Sequence, residues 1–333
     1  MPVNLDKPNR WKADIALSVD MYNDWFMNFA PKAFRDTRVK TTKAVESTLN
    51  STDNIRNIRP EILRTYPGVL PTLRMSTCPP IAVDRLVGLA KVSKNLVGCM
   101  EEGKIPPRMS AAALDEDLRK IGAIIQRMAD PDIFVWLERG DAPKDSEFHR
   151  AATIVADRLC GAVANPIVRN AQEKRQLAAI ATWLEARGYI HAEDGTRFDG
   201  MTPGTFSFRM NVPVRTGGGY GELTIISPGD QNIQIGNGVN IPVDVVIQPI
   251  SSNPGELPVF IEAKSAGDFT NVNKRRKEEA AKMSQLRNTY GAGVRFNLFL
   301  CGYFDSGYLG YEAAEGIDWC WEHRIDDLAE FGL

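Results

Sequence analysis

Residues 241–264 read IPVDVVIQPISSNPGELPVFIEAK. Two runs rich in β-branched residues flank a Ser-Ser-Asn-Pro-Gly segment, the pattern of neighbouring strands joined by a turn. On a strand, side chains two apart share a face. Glu262 and Lys264 therefore point one way, and Val259, Ile261 and Ala263 point the other, into a core. Seventeen residues lie between Asp244 and Glu262, and pairing of the two runs brings these carboxylates together.

Two carboxylates and a lysine on adjacent strands suit a Mg²⁺ site for phosphodiester cleavage. Hard oxygen ligands favour Mg²⁺, which keeps waters and accepts phosphate oxygens. The metal lowers the pKa of a bound water and neutralises developing charge. Lys264 would orient that water, help deprotonate it, or stabilise the transition state. A Glu-x-Lys on a strand is also a common solvated surface pair, so the neighbouring sequence has to discriminate.

Downstream, residues 271–287 hold six Lys/Arg against Glu278 and Glu279 and are helical in pattern over 272–290. Asn271, Asn273, Lys274, Arg275 and Arg276 open this helix and are candidate phosphate contacts. The competing reading is a solvated helix face. Upstream, Asn165-Pro166 is expected to open a long helix bearing Leu177, Ile180 and Leu184. Glu173 is in line with these three, on the apolar face, where a carboxylate needs a metal, a cation or a donor. It is a candidate auxiliary site carboxylate, with a salt bridge to an arginine as the alternative. Glu222, in an ELTII run, is a weaker substitute.

Residues 205–265 alternate strand-like runs with turn signals, including FSFRMNVPV, ELTII and NIQIG, and another strand spans Arg295 to Cys301. Gly217-Gly218-Gly219 reads as a hairpin loop. Before Gly188 the patterning is mostly helical. Pro31 is expected to end a first helix. Another helix should start at Pro79-Pro80 and run through Met100, Ser110 should cap one ending near Met128, and one should span Ser146 to Cys160. The expected organisation is a helical region over 1–160, for DNA recognition or dimerisation, and an α/β (α+β) nuclease core with an acidic tail over 161–333.

The net charge of −2 excludes a uniformly basic chain but conceals patches. Residues 31–74 hold nine Lys/Arg against four acids, and residues 301–333 hold eight acids against one Arg. Within the basic stretch Arg56 and Arg59 alternate with Asn54 and Asn57, and Arg and Asn are the side chains that read guanine and adenine edges. No uninterrupted apolar run approaches the ~18 residues of a membrane span. The N-terminal MPVNLDKPNRWKADIA lacks a signal-peptide pattern. Five widely spaced cysteines without a C-x-x-C, and three histidines, give no zinc pattern. A cytoplasmic protein with reduced thiols and no membrane partner is expected.

The chain resembles the XamI-type family of type II restriction endonucleases. The resemblance rests on RWKADIALSVDMYNDWF, LRMSTCPPIAVDRLVGLA, NPIVRNAQEKRQLAAIATWLEARGY, IPVDVVIQP, FIEAKSAGDFTNVNKRRKEEAAK and DWCWEHRIDDL, which span nearly the whole chain. It implies a PD-(D/E)xK nuclease fold, a mixed sheet flanked by helices. It implies Mg²⁺-dependent cleavage of double-stranded DNA at a short palindrome, with Asp244, Glu262 and Lys264 as the motif residues. This chain has Pro-Val-Asp where the nominal motif has Pro-Asp. The family's namesake reads GTCGAC, and kinship extends that site here as an expectation. A palindrome implies a two-fold homodimer, and a cognate DNA methyltransferase would act on the same site without being a physical partner. The rival readings are a same-fold nuclease in repair or methylation-dependent restriction, and a DNA-binding protein that has lost the chemistry.

Overall fold

The structure is a computed structural model that describes residues 2–215, 238–253, 255–268 and 272–333, with only the backbone described over 272–275. Glu222, Asn271, Gly217-Gly218-Gly219 and the ELTII and NIQIG runs lie outside the described residues.

Ten α-helices and six strands are described, besides short 3-10 segments: α1 (Pro8–Ser51), α2 (Pro60–Thr65), α3 (Leu70–Met75), α4 (Val83–Ala90), α5 (Lys94–Glu101), α6 (Ala111–Met128), α7 (Trp136–Arg139), α8 (Asp145–Glu185), β1 (Ile190–His191), β2 (Thr205–Arg215), β3 (Gly238–Gln248), β4 (Val259–Ala266), α9 (Val272–Tyr290), β5 (Arg295–Gly302), α10 (Ser306–Ala314) and β6 (Asp318–Trp321). They form two compact units, one of residues 29–168 and one of residues 1–28 with 169–333. The expected boundary near 160 left the first 28 residues with the helical region. They join the sheet unit instead because their side chains are committed there. The Asp318 carboxylate accepts hydrogen bonds from the backbone N–H groups of Val3, Asn4 and Leu5. Trp11 meets Trp319 edge-on at 5.4 Å, and Asp14 pairs with Arg324.

The unit of residues 29–168 is helical and has its own core, drawn from Val45, Leu49, Leu73, Leu86, Leu96, Leu118 and Trp136 among others. The Ser110 side chain caps α6 by accepting the Ala113 N–H, as expected. The helix expected from Pro79 to Met100 is two helices. Lys91 takes a left-handed φ of 52° that ends α4, and Ser93 caps α5.

The two prolines read as helix boundaries lie inside helices. Pro31 is within α1 and Pro166 within α8. An internal proline costs a hydrogen bond and crowds the preceding turn. Buried residues on both sides outweigh that cost: Trp11 and Val45 in α1, and Val155 and Ile180 in α8. By length and composition α8 is apolar enough to cross a membrane, which a search for uninterrupted apolar runs does not reveal. Its Ala151, Val155 and Leu159 are core residues of a folded unit.

The other unit holds a six-stranded mixed sheet in the order β1-β2-β3-β4-β5-β6. β3 is antiparallel to both β2 and β4, whereas β4, β5 and β6 are parallel. Parallel neighbours need a crossover, and α9 and α10 supply it. One sheet face packs on Met283 and Leu286 of α9 and Leu309 of α10. The other packs on Leu177, Ile180 and Leu184 of α8. The expected acidic tail is part of this architecture, since β6 pairs with β5 and Trp319 and Trp321 are fully buried. Gly302, ending β5 at φ +99°, has no room for a side chain: a Cβ there would lie 2.2 Å from the Ala266 carbonyl oxygen.

Candidate active site

The ladder between β3 and β4 runs Ile247–Val259, Val246–Phe260 and Val245–Ile261 and ends there. Asp244 and Glu262 are the next residues, so the two carboxylates stand where the strands part. The Asp244 side chain takes over from the ladder, its Oδ2 accepting the Ala263 N–H at 2.9 Å. The neighbouring pair of strands changes character at the same level. In β3, Ile241 and Val243 face the α9 core while Val245 and Ile247 face the α8 core. In β2, Met210 and Val212 face the α9 core and Phe206 faces the α8 core. Arg209 falls at this exchange, opposite Asp244, with a left-handed φ of 52°.

Glu262 and Lys264 share a face as the strand period requires, and Ile261 and Ala263 point into the opposite core. Glu262 is 1% exposed. Its Oε2 accepts from Lys264 Nζ at 2.9 Å and its Oε1 from Lys282 Nζ at 2.5 Å. Burial would raise the Glu262 pKa, but the two ammonium groups outweigh it and hold the carboxyl below its ordinary value. Burial acts to lower the Lys264 pKa, and Glu262 more than offsets it, so the group is raised and stays an ammonium. Asp244 differs: burial first, and then the charge of Glu262, push it up to about 6. Among the described residues it makes no ion pair.

Two further side chains reach the site from α9. Lys282 Nζ also donates to the Pro242 carbonyl at 2.8 Å. Glu279, 1% exposed, lies 3.9 Å from Lys264 and accepts a hydrogen bond from Tyr308 at 3.1 Å. On the other sheet face, Gln176 of α8 donates to the Lys264 backbone carbonyl at 3.3 Å. In the sequence alone, Lys282 and Glu279 stand out only as charges of a basic helix. A usable signal was present, because Glu279 precedes Met283, Leu286 and Tyr290 by four, seven and eleven residues. That is the alignment which singled out Glu173.

Glu173 itself is not brought to the pair. Its Oε1 accepts from Arg209 at 2.7 Å, and its side chain is 35% exposed. The buried face of α8 at that turn is centred on Gln172 and Gln176, which rotates Glu173 to the rim. The candidate DNA contacts also divide. Of Asn273, Lys274 and Arg275 only the backbone is described, at the first turn of α9. Arg276 lies over the Tyr311 ring at 4.1 Å, Arg287 donates to the Glu315 carbonyl at the end of α10, and Lys277 is exposed. Arg56 and Arg59 are exposed in the helical unit, Arg56 paired with Asp53 and Arg59 bonded to Asn57.

The donor set fits a hard divalent cation. Two carboxylates on diverging strands would leave the remaining positions to waters and phosphate oxygens, the usual partition for Mg²⁺. Among the described residues no group of three His, Cys, Asp or Glu gathers around a metal position, and Asp244 and Glu262 are the pair that would hold such an ion.

The profile of the XamI restriction endonuclease family matches residues 53–321. The chain is 53% identical, over 332 residues, to the type II restriction enzyme SalI of Streptomyces albus G, covering 99% of both chains. No solved structure matches it.

Proposed function

The chain belongs to the XamI restriction endonuclease family and is a type II restriction enzyme, and we propose that it is a PD-(D/E)xK nuclease that uses Mg²⁺ to cut duplex DNA at GTCGAC. The observation that carries this reading is the convergence of Asp244, Glu262 and Lys264 where β3 and β4 part.

In this reading Asp244 and Glu262 hold the metal. When bound, Mg²⁺ supplies positive charge at the phosphate and acidity to a water. The chain's own residues do the rest. As an ammonium, Lys264 cannot accept the water's proton. It orients the water and stabilises the negative charge that builds on the phosphoryl oxygens as the new P–O bond forms and the bridging P–O bond breaks. Glu279 and Glu262 hold that ammonium from two sides, and Gln176 holds its backbone. The basic start of α9, with Asn273, Lys274 and Arg275, is assigned to phosphate contact, as is Asn271 just before it in sequence. The helical unit bearing Arg56 and Arg59 is assigned to DNA recognition and dimer contacts. A palindromic site is matched by a homodimer, acting in the cytoplasm.

Digestion of a phage genome with and without Mg²⁺, followed by mapping of all cut ends, tests the reading. Ends confined to GTCGAC and dependent on Mg²⁺ support it. Cuts at another fixed palindrome would overturn the site but not the chemistry, and scattered or metal-independent cuts would overturn both.

A further inference from the structure

Glu262 enters the site with both oxygens already engaged by lysine ammonium groups. One is Lys264, from the same strand. The other, Lys282, comes from α9 and bridges the two halves of the motif. Its Nζ meets Glu262 on β4 and the Pro242 carbonyl on β3, beyond the last ladder pair. Without this contact a buried carboxylate would face Asp244, another carboxylate, across an unpaired gap, with Lys264 as its remaining partner. A cation at this point does for the two strands what a bound metal would do: it neutralises Glu262 and ties the strand ends together.

We propose that Lys282 is a positioning residue that stands in for the metal, holding Glu262 in its ligating position and releasing it when the divalent cation binds. This rests on the reading of Asp244 and Glu262 as metal ligands. Like charges at this range repel, and a dication meets twice the repulsion of a single charge. The ammonium therefore competes directly with the metal for Glu262 Oε1. Lys264 is not displaced in the same way, because Glu279 offers its ammonium a second carboxylate. Lys282, by contrast, keeps the Pro242 carbonyl as its remaining described partner.

The test is calorimetric titration of Mg²⁺ alone into the full-length protein without DNA, so that no cleavage is read. Lys282→Met and Lys282→Gln should each bind Mg²⁺ about tenfold tighter than wild type, the scale expected from losing one competing charge in a partly buried site. Lys282→Arg, which keeps the charge, should stay near wild type, and Glu262→Gln should lose binding. In the wild-type protein, the ¹⁵N resonance of the Lys282 ammonium should shift on Mg²⁺ addition, a readout that needs no variant to fold. Unchanged or weaker binding in both neutral variants, with Glu262→Gln still defective, would make Lys282 a structural ion pair only and overturn the proposal. Mg²⁺ binding that survives Glu262→Gln would remove the metal reading itself, and this proposal with it.

Discussion

Asp244 Oδ2 accepts the Ala263 backbone N–H at 2.9 Å, so a half-buried carboxylate replaces the ladder partner at the point where β3 and β4 separate. The hydrogen bond favours ionisation, yet burial and the neighbouring Glu262 leave the group at about 6. The folded protein therefore pays to keep Asp244 charged at neutral pH.

That cost predicts a pH-dependent gain for Asp244→Asn. Relative to an ordinary carboxylate near 3.9, the folded state binds the proton more tightly. Stability is therefore lost as pH rises from about 4 to 6, and the loss is complete above that. A shift of this size is worth about 3 kcal/mol. Without metal, Asp244→Asn should melt higher than wild type at pH 7.5, and the difference should close by pH 4. Added Mg²⁺ should raise the wild-type melting temperature at pH 7.5 through linkage and leave the variant unmoved. Identical melts at both pH values would show that Asp244 carries no such strain.

Lys264→Ala removes the ammonium but leaves Glu262 paired with Lys282, so the fold should survive. Loss of one charge-stabilising donor lowers turnover by about 10²–10³-fold. Single-turnover cleavage should fall at least that far, while DNA affinity measured without Mg²⁺ stays within about threefold. Full cutting by this variant would remove Lys264 from the mechanism.

The β3–β4 pair, its register and the shared face of Glu262 and Lys264 were legible because strand period and turn chemistry act locally. The span of α9, 272–290, was legible for the same reason. What was not legible depended on tertiary packing. Pro31 and Pro166 look like stops until the cores that bury both flanks of their helices are known. The first 28 residues read as part of the helical region until Asp318, Trp319 and Arg324 claim them. Glu173 and Glu279 have the same spacing to their apolar neighbours, and only rotation of each helix on its core places one at the rim and the other beside Lys264.

That contrast predicts opposite outcomes for two like substitutions. Glu173→Gln alters a partly exposed pair with Arg209, an interaction worth at most about 1 kcal/mol, and cleavage should stay within about threefold. Glu279→Gln leaves Lys264 with Glu262 as its one ion-pair partner among the described residues. Loss of a supporting contact of this kind costs about 10–100-fold, and here it should appear in turnover rather than in DNA affinity. Reversal of the two results would return Glu173 to the site.

The distribution of basic residues sets the last prediction. Although the sequence pI is near 6.0, DNA binding should weaken steeply with salt, because released counterions add a log–log slope of about −0.9 per neutralised phosphate. The side chains of α9 will not contribute alike. Lys277 is exposed and free to meet a phosphate, so Lys277→Ala should make the slope shallower by about one. Arg276 is committed to the Tyr311 ring. Cation–π stacking is worth about 0.5–2 kcal/mol, so Arg276→Ala should lower the melting temperature and leave the slope unchanged. Fluorescence anisotropy with a labelled duplex, in metal-free buffer from 50 to 200 mM salt (roughly the range over which such contacts change affinity most), reads both slopes. A salt-independent affinity would mean that these patches do not face DNA, and an unchanged slope for Lys277→Ala would move the phosphate contacts off this turn of α9.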